Sequence, residues 1–153
     1  MTVARLNMSW TITSSAWARF TWRADDFELG ISTSYLDKSL DQLLRAALDL
    51  QLGSSSAIAG IYGMPDGHMF LFGGAAEDVF LQILYLPDLQ QDDPWTGVTR
   101  VWGERIPVAA FVQATLRIAQ EVLEEHPGAG YGGLWEGRPF PLKELSLLRQ
   151  SFQ

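Results

Sequence analysis

The chain has 153 residues, 47% hydrophobic and 19% charged, which is enough apolar material for the core of one domain and is not typical of disordered proteins. Eighteen carboxylates against eleven lysines and arginines give a formal net charge of -7, which disfavours direct nucleic-acid binding. The absence of cysteine excludes disulfides, and the chain lacks a signal-peptide pattern and an apolar run of membrane-spanning length. These features predict a cytoplasmic protein that does not enter a membrane.

The first third of the chain predicts three strands. Apolar and polar residues alternate from Val3 to Ile12, and the same period of two recurs around Phe20 and Trp22. A third run begins at Phe27. The Asp25-Asp26 pair before this run suits a tight turn, so the second and third strands are predicted to form a hairpin.

A helix is predicted next, because the apolar period changes to helical spacing between Leu36 and Leu48. Ser34 or Asp37 is placed to cap its first turn, and Gly53 is placed to end it. Strand patterns then return in four segments: Ala57 to Met64, His68 to Phe72, Val79 to Leu86, and Val98 to Glu104. The segment from Val79 is the most apolar of the four, which predicts a central strand.

Two further helices are predicted in the last third. The longer one has Pro107 in its first turn, carries a wide apolar stripe and ends near Glu125. The shorter one runs from Leu142 to Phe152 after a glycine-rich loop. Because the turns between strands have hairpin length, the pattern predicts an α+β fold in a single domain, residues 1–153. We expect an antiparallel sheet of about six to seven strands, two main helices packed on one face and a short C-terminal helix.

The sequence contains no motif that indicates catalysis, and we expect no catalytic residue, metal or cofactor. The glycine-rich segment 128–133 follows a helix instead of a strand, unlike a phosphate-binding loop. His68 and His126 are the chain's two histidines and lie in no metal-ligand pattern. A glycosidase-like carboxylate pair can be drawn from Asp66, Glu77 and Glu104, but such pairs arise easily among eighteen carboxylates.

The tryptophans divide into two groups. Trp10 and Trp22 are in phase with apolar neighbours, which predicts that they lie in the core. Trp17 breaks the alternation, Trp95 lies in an acidic loop and Trp135 follows the glycine-rich loop. These three either cover sheet edges and loop bases or anchor a protein interface, where exposed tryptophans are common.

Two segments together resemble small bacterial proteins, some of which are associated with immunity to polymorphic toxins. The first runs from Ser34 to Leu44, and the second from Leu134 to Pro141, shortly before Leu145. The resemblance implies a protein that binds and blocks a cognate toxin without catalysis. It implies no particular site residues, because such inhibitors differ in the surface that they use.

An immunity-type protein with an acidic surface is expected to bind a basic toxin, such as a nuclease, since opposite potentials speed encounter. The expected contact residues are carboxylates and one tryptophan in two places: Asp88, Asp92, Asp93 and Trp95 in one loop, and Glu121, Glu124 and Glu125 at a helix end.

Two alternatives remain open. The first is a small-molecule binding protein or enzyme with a cleft between sheet and helices, lined by Arg19, Arg23, Arg100 and Arg105. The second is a subunit of a homo-oligomer, which would have a large apolar self-interface.

Overall fold

The computed structural model describes residues 2–14, 16–34, 38–127 and 139–152. The described residues form seven strands and three helices. In chain order these are β1 (Leu6–Ser14), β2 (Trp17–Ala24), β3 (Phe27–Ser34), α1 (Ser39–Gln51), β4 (Ala57–Tyr62), β5 (Gly67–Gly73), β6 (Asp78–Leu86), β7 (Thr99–Pro107), α2 (Val108–Glu125) and α3 (Leu142–Gln150). The α+β class, the antiparallel pairing and the central position of β6 are confirmed.

The strands form two sheets, so the prediction of one continuous sheet was wrong. One sheet has the order β1-β2-β3 and the other has the order β4-β5-β6-β7. The edge of β4 is occupied by side chains of α1: the Gly60 amide donates to Gln42 Oε1 at 2.6 Å, and the Tyr62 amide donates to Ser39 Oγ at 3.5 Å. Because α1 takes these edge groups, β3 and β4 do not pair as neighbouring strands.

The inner faces of the two sheets meet in a cluster of aromatic rings. Trp22 lies with its ring centroid 5.5 Å from that of Phe70 and 5.8 Å from that of Trp102. Phe20 packs edge-on against Phe70 at 6.0 Å. Trp10 and Trp22 are both buried, which confirms their predicted place in the core.

The helices are distributed around this core and do not cover one face of a single sheet, which corrects the predicted packing. α1 lies against β4, α2 packs on α1 and β1, and α3 packs on α1. Arg117 of α2 donates to Asn7 Oδ1 at 2.7 Å and to the Met8 carbonyl at 2.6 Å, so it ties α2 to the edge of β1. Within the described ranges, no helix has the length and apolarity needed to cross a membrane.

Most helix ends differ by a few residues from the predictions. Ser34 is buried at the end of β3 and Asp37 lies outside the described residues, while α1 begins at Ser39 with no side-chain cap on its first turn. Gly53 follows the end of α1 with a φ of 97°, so its predicted role as a helix stop is confirmed. Pro107 closes β7 and precedes α2 instead of lying in its first turn.

Candidate functional site

The acidic loop between β6 and β7 lies at one end of the four-stranded sheet. It is held against the β4–β5 turn, since the Leu89 amide donates to the Pro65 carbonyl at 2.7 Å. Asp88 Oδ1 accepts from the Gln90 amide at 2.9 Å, and Asp93 Oδ1 accepts from the Trp95 amide at 3.0 Å. Two of the three contact carboxylates predicted in this loop therefore also shape it.

Exposed apolar side chains accompany these carboxylates. Trp95 is 46% exposed, and Met64, in the neighbouring β4–β5 turn, is 48% exposed. Asp92 and Asp93 are also exposed. Met64 was missed in the sequence, where it counted as the end of a strand; its position before the Pro65-Asp66-Gly67 turn was the available signal. We call Met64, Asp92, Asp93 and Trp95 the loop surface.

The second predicted acidic patch lies at the end of α2, and one of its three carboxylates is paired with an arginine. Glu121 accepts from Arg117 at 2.9 Å and belongs to the contact between α2 and β1. Glu124 and Glu125 are exposed, and Glu125 lies 4.0 Å from His126 Nε2. No hydrogen bond or ion pair among the described residues joins this patch to the loop surface.

The outer face of the four-stranded sheet carries an exposed apolar patch, which the sequence did not predict. Register places Ile58, Leu71 and Gln82 side by side across β4, β5 and β6. Ile58 is 56% exposed, and Leu71, Phe80 and Leu84 are half-buried. These four apolar residues lie outside the hydrophobic core, which holds the inner faces of the sheets and the apolar stripes of the helices. We call Ile58, Leu71, Phe80 and Leu84 the outer face.

The four arginines expected to line one cleft are separated. Arg19 and Arg23 lie on the three-stranded sheet, where Arg23 pairs with Glu28 at 3.1 Å. Arg100 and Arg105 lie on the four-stranded sheet. Arg100 is stacked 5.5 Å from the centre of the Phe80 ring, and Arg105 Nε donates to Asp78 Oδ1 at 2.7 Å.

A cleft between a sheet and a helix lies elsewhere than these four arginines predict. This cleft is a cavity of about 760 Å³ between the three-stranded sheet and α2, and we call it the cavity beside α2. Arg5, Arg23 and Arg117 line it together with Asp25 and Asp26. This grouping could not be predicted from local sequence patterns, because its residues come from the N-terminal segment, the β2–β3 hairpin and α2.

Two of the three possible catalytic carboxylates, Asp66 and Glu77, are not brought together. Asp66 lies before β5 and Glu77 after it, so a strand of seven residues, about 23 Å long, separates them. Paired carboxylates in glycosidases lie within about 10 Å of each other. Asp66 instead accepts a hydrogen bond from the Tyr85 hydroxyl at 3.0 Å, and this bond raises the pKa of Tyr85.

His68 packs beside this pair, with its ring centroid 5.1 Å from that of Tyr85. Its Nδ1 is buried and has no hydrogen-bond partner in the described part of the chain. Burial lowers the pKa of His68, and the nearby Asp66 carboxylate opposes this shift in part. The folded protein therefore favours neutral His68.

This shift predicts that His68 destabilises the fold as the pH falls. Below about pH 6.5, His68 of the unfolded chain binds a proton more readily than His68 of the folded protein. The free energy of unfolding therefore falls by at most about 1.4 kcal/mol for each pH unit that the pH is lowered. Urea unfolding at pH 7.5 and 5.5 should show a smaller pH dependence for His68→Phe, which keeps a ring beside Tyr85. Equal pH dependence in the variant and the wild type would contradict the assignment.

Comparisons of the chain with protein-family models, curated proteins and solved structures found no match. The likeness to immunity-type proteins therefore stays a prediction.

Proposed function

We propose that the chain is a non-catalytic, immunity-type protein that binds and neutralises a basic toxin, such as a nuclease. The observation that carries the proposal is Trp95, which is exposed in the same loop as Asp92 and Asp93, after β6 of the four-stranded sheet. Large exposed apolar patches with polar rims are typical of protein interfaces. The loop surface would supply the charge and an aromatic anchor, and the outer face would supply apolar contact area.

The charge distribution supports a basic partner. No lysine or arginine occurs between Arg45 and Arg100, a stretch that contains β4, β5, β6 and the acidic loop. The same stretch carries seven carboxylates. A partner with lysines or arginines would match the loop surface, since complementary charge speeds encounter and selects the partner. Arg100 and Arg105 of β7 lie opposite Leu84 and Phe80 of the outer face, so the match to a basic partner is confined to the loop.

The predicted result of reversing the loop charge is slower association. In Asp92→Lys/Asp93→Lys we expect the association rate at low salt to fall about tenfold and to lose most of its salt dependence. The probe is the protein that the immobilised wild-type chain retains from a lysate of its native cells. Association is measured by surface plasmon resonance at several salt concentrations.

The matched control is Glu28→Lys/Glu104→Lys, which makes the same charge change at exposed sites outside the acidic stretch between Arg45 and Arg100. Its association rate should remain closer to that of the wild type. Cells that produce the retained protein should grow when they also produce the wild-type chain. They should not grow when they produce the loop variant instead. An unchanged association rate in the loop variant, or an equal loss in the control, would overturn the assignment.

The cavity beside α2 favours a second candidate function, small-molecule binding, because its volume lies within the usual range for ligand sites. A third candidate is self-association through the outer face. The net charge of -7 opposes this, since two copies repel each other. Sedimentation equilibrium tests the third candidate: a dimer that Leu71→Asp dissociates would assign the outer face to a second copy.

A further inference from the structure

We propose that the cavity beside α2 binds a small organic oxyanion, with its carboxylate or phosphate group between Arg5 and Arg23. This site is separate from the loop surface and does not depend on a protein partner. Three of the chain's eleven lysines and arginines line this one cavity, although the protein as a whole is strongly acidic.

The position of each charge shows which cations are available. The Arg5 guanidinium has no hydrogen bond or ion pair in the described residues. Arg23 pairs with Glu28, but both side chains are more than half exposed, and such pairs contribute little and open readily. Arg117 already donates to Glu121, Asn7 and the Met8 carbonyl, so it lines the cavity but is not available to bind the oxyanion.

Two carboxylates also line the cavity. Asp25 is engaged by the backbone: its Oδ1 accepts from the Ala4 amide at 3.1 Å and from the Arg5 amide at 2.9 Å. These amides partly offset its charge and fix the N-terminal segment beside the hairpin turn. Asp26 adds a second, exposed carboxylate to the lining, which opposes a highly charged anion. A ligand with one oxyanion group is therefore a better match than a ligand with several.

The rest of the lining suits an apolar body. Ala110 and Ala114 on α2 are one helical turn apart and face the cavity, so their small side chains leave room for a ligand. Leu6 of β1 adds an apolar surface. The oxyanion group of a ligand would bind between the arginines, because guanidinium groups match carboxylate and phosphate geometry. The organic part of the ligand would contact Leu6, Ala110 and Ala114.

The test uses benzoate, its neutral analogue benzamide and inorganic phosphate as probes, at constant ionic strength. In NMR titrations of the wild-type chain, benzoate should shift the amides of Arg5, Arg23 and Ala114 saturably. Benzamide, which lacks the charge, should bind at least about tenfold more weakly. Phosphate reports on the head group alone: saturable shifts at Arg5 and Arg23 would extend the site to phosphates, and none would restrict it to carboxylates.

Two double variants separate a site from a general charge effect. Arg5→Gln/Arg23→Gln should weaken benzoate binding about tenfold or more, while Arg19→Gln/Arg45→Gln, with the same charge change outside the cavity, should stay within about twofold. No saturable benzoate shift up to tens of millimolar, equal binding of benzamide, or equal loss in both variants would overturn the proposal. The loop variant Asp92→Lys/Asp93→Lys should bind benzoate normally, so failure of the toxin-binding proposal and failure of this one are distinguishable.

Discussion

Replacing Trp22 by alanine should lower the free energy of unfolding by about 3–5 kcal/mol, the usual cost of removing a large aromatic side chain from a core. Trp22 is 0% exposed and contacts both Phe70 and Trp102 of the opposite sheet. Its loss would leave a cavity where the two sheets meet, and neighbouring side chains refill such a cavity only in part.

Urea unfolding followed by far-ultraviolet circular dichroism measures this effect without relying on tryptophan fluorescence. The matched control is Trp95→Ala, which should change the free energy of unfolding by about 0.5 kcal/mol or less because Trp95 is exposed. If Trp22→Ala does not fold, Trp22→Phe keeps a ring in the core and removes an indole N–H that has no partner in the described residues. Equal stability losses for Trp22→Ala and Trp95→Ala would contradict the core assignment.

The strands and hairpins could be predicted because their signals are local. Trp22 lies in phase with Phe20 and Ala24, and the Asp25-Asp26 turn joins β2 directly to β3. The division into two sheets depends instead on contacts between distant residues. Whether β4 pairs with β3 is decided by Gln42 and Ser39 of α1 at the edge of β4, and no periodicity reveals that choice.

The candidate sites were predictable to different degrees. The acidic loop is visible in the sequence because Asp88, Asp92 and Asp93 follow one another between two strands. The outer face was missed because a continuous apolar strand reads as buried on both faces, and the exposure of its second face is a tertiary property. The cleft was missed because Arg117 and Asn7, which meet at its wall, are 110 residues apart.

A buried hydroxyl network at the junction of β3, α1 and β4 gives the second prediction of large effect. Thr33 Oγ1 lies 2.7 Å from the Tyr62 carbonyl and 2.8 Å from Ser39 Oγ. Because each hydroxyl has one hydrogen, Thr33 must donate to the carbonyl and Ser39 must donate to Thr33. The two hydroxyls thus link β3 to β4 at the place where the sheets do not pair directly.

Thr33→Val keeps the shape of the side chain but removes both bonds. It should lower the free energy of unfolding by about 2–3 kcal/mol, because the Ser39 hydroxyl loses its acceptor and the Tyr62 carbonyl loses this donor. The control is Thr115→Val, because Thr115 is also 0% exposed. The Thr115 hydroxyl donates at 2.9 Å to the Phe111 carbonyl, one turn earlier in α2. That carbonyl also accepts the helical amide bond, so this change should cost about 1 kcal/mol or less.

A double-mutant cycle in urea unfolding tests the proposed donor order. Ser39→Ala in the Thr33→Val background removes the orphaned donor, so its cost should be smaller than in the wild type. Additive losses would show that the hydroxyls act independently. Equal losses for Thr33→Val and Thr115→Val would show that the junction is held by apolar packing alone. With the predicted coupling, two short polar side chains hold the sheets in register where no strand pairing does so.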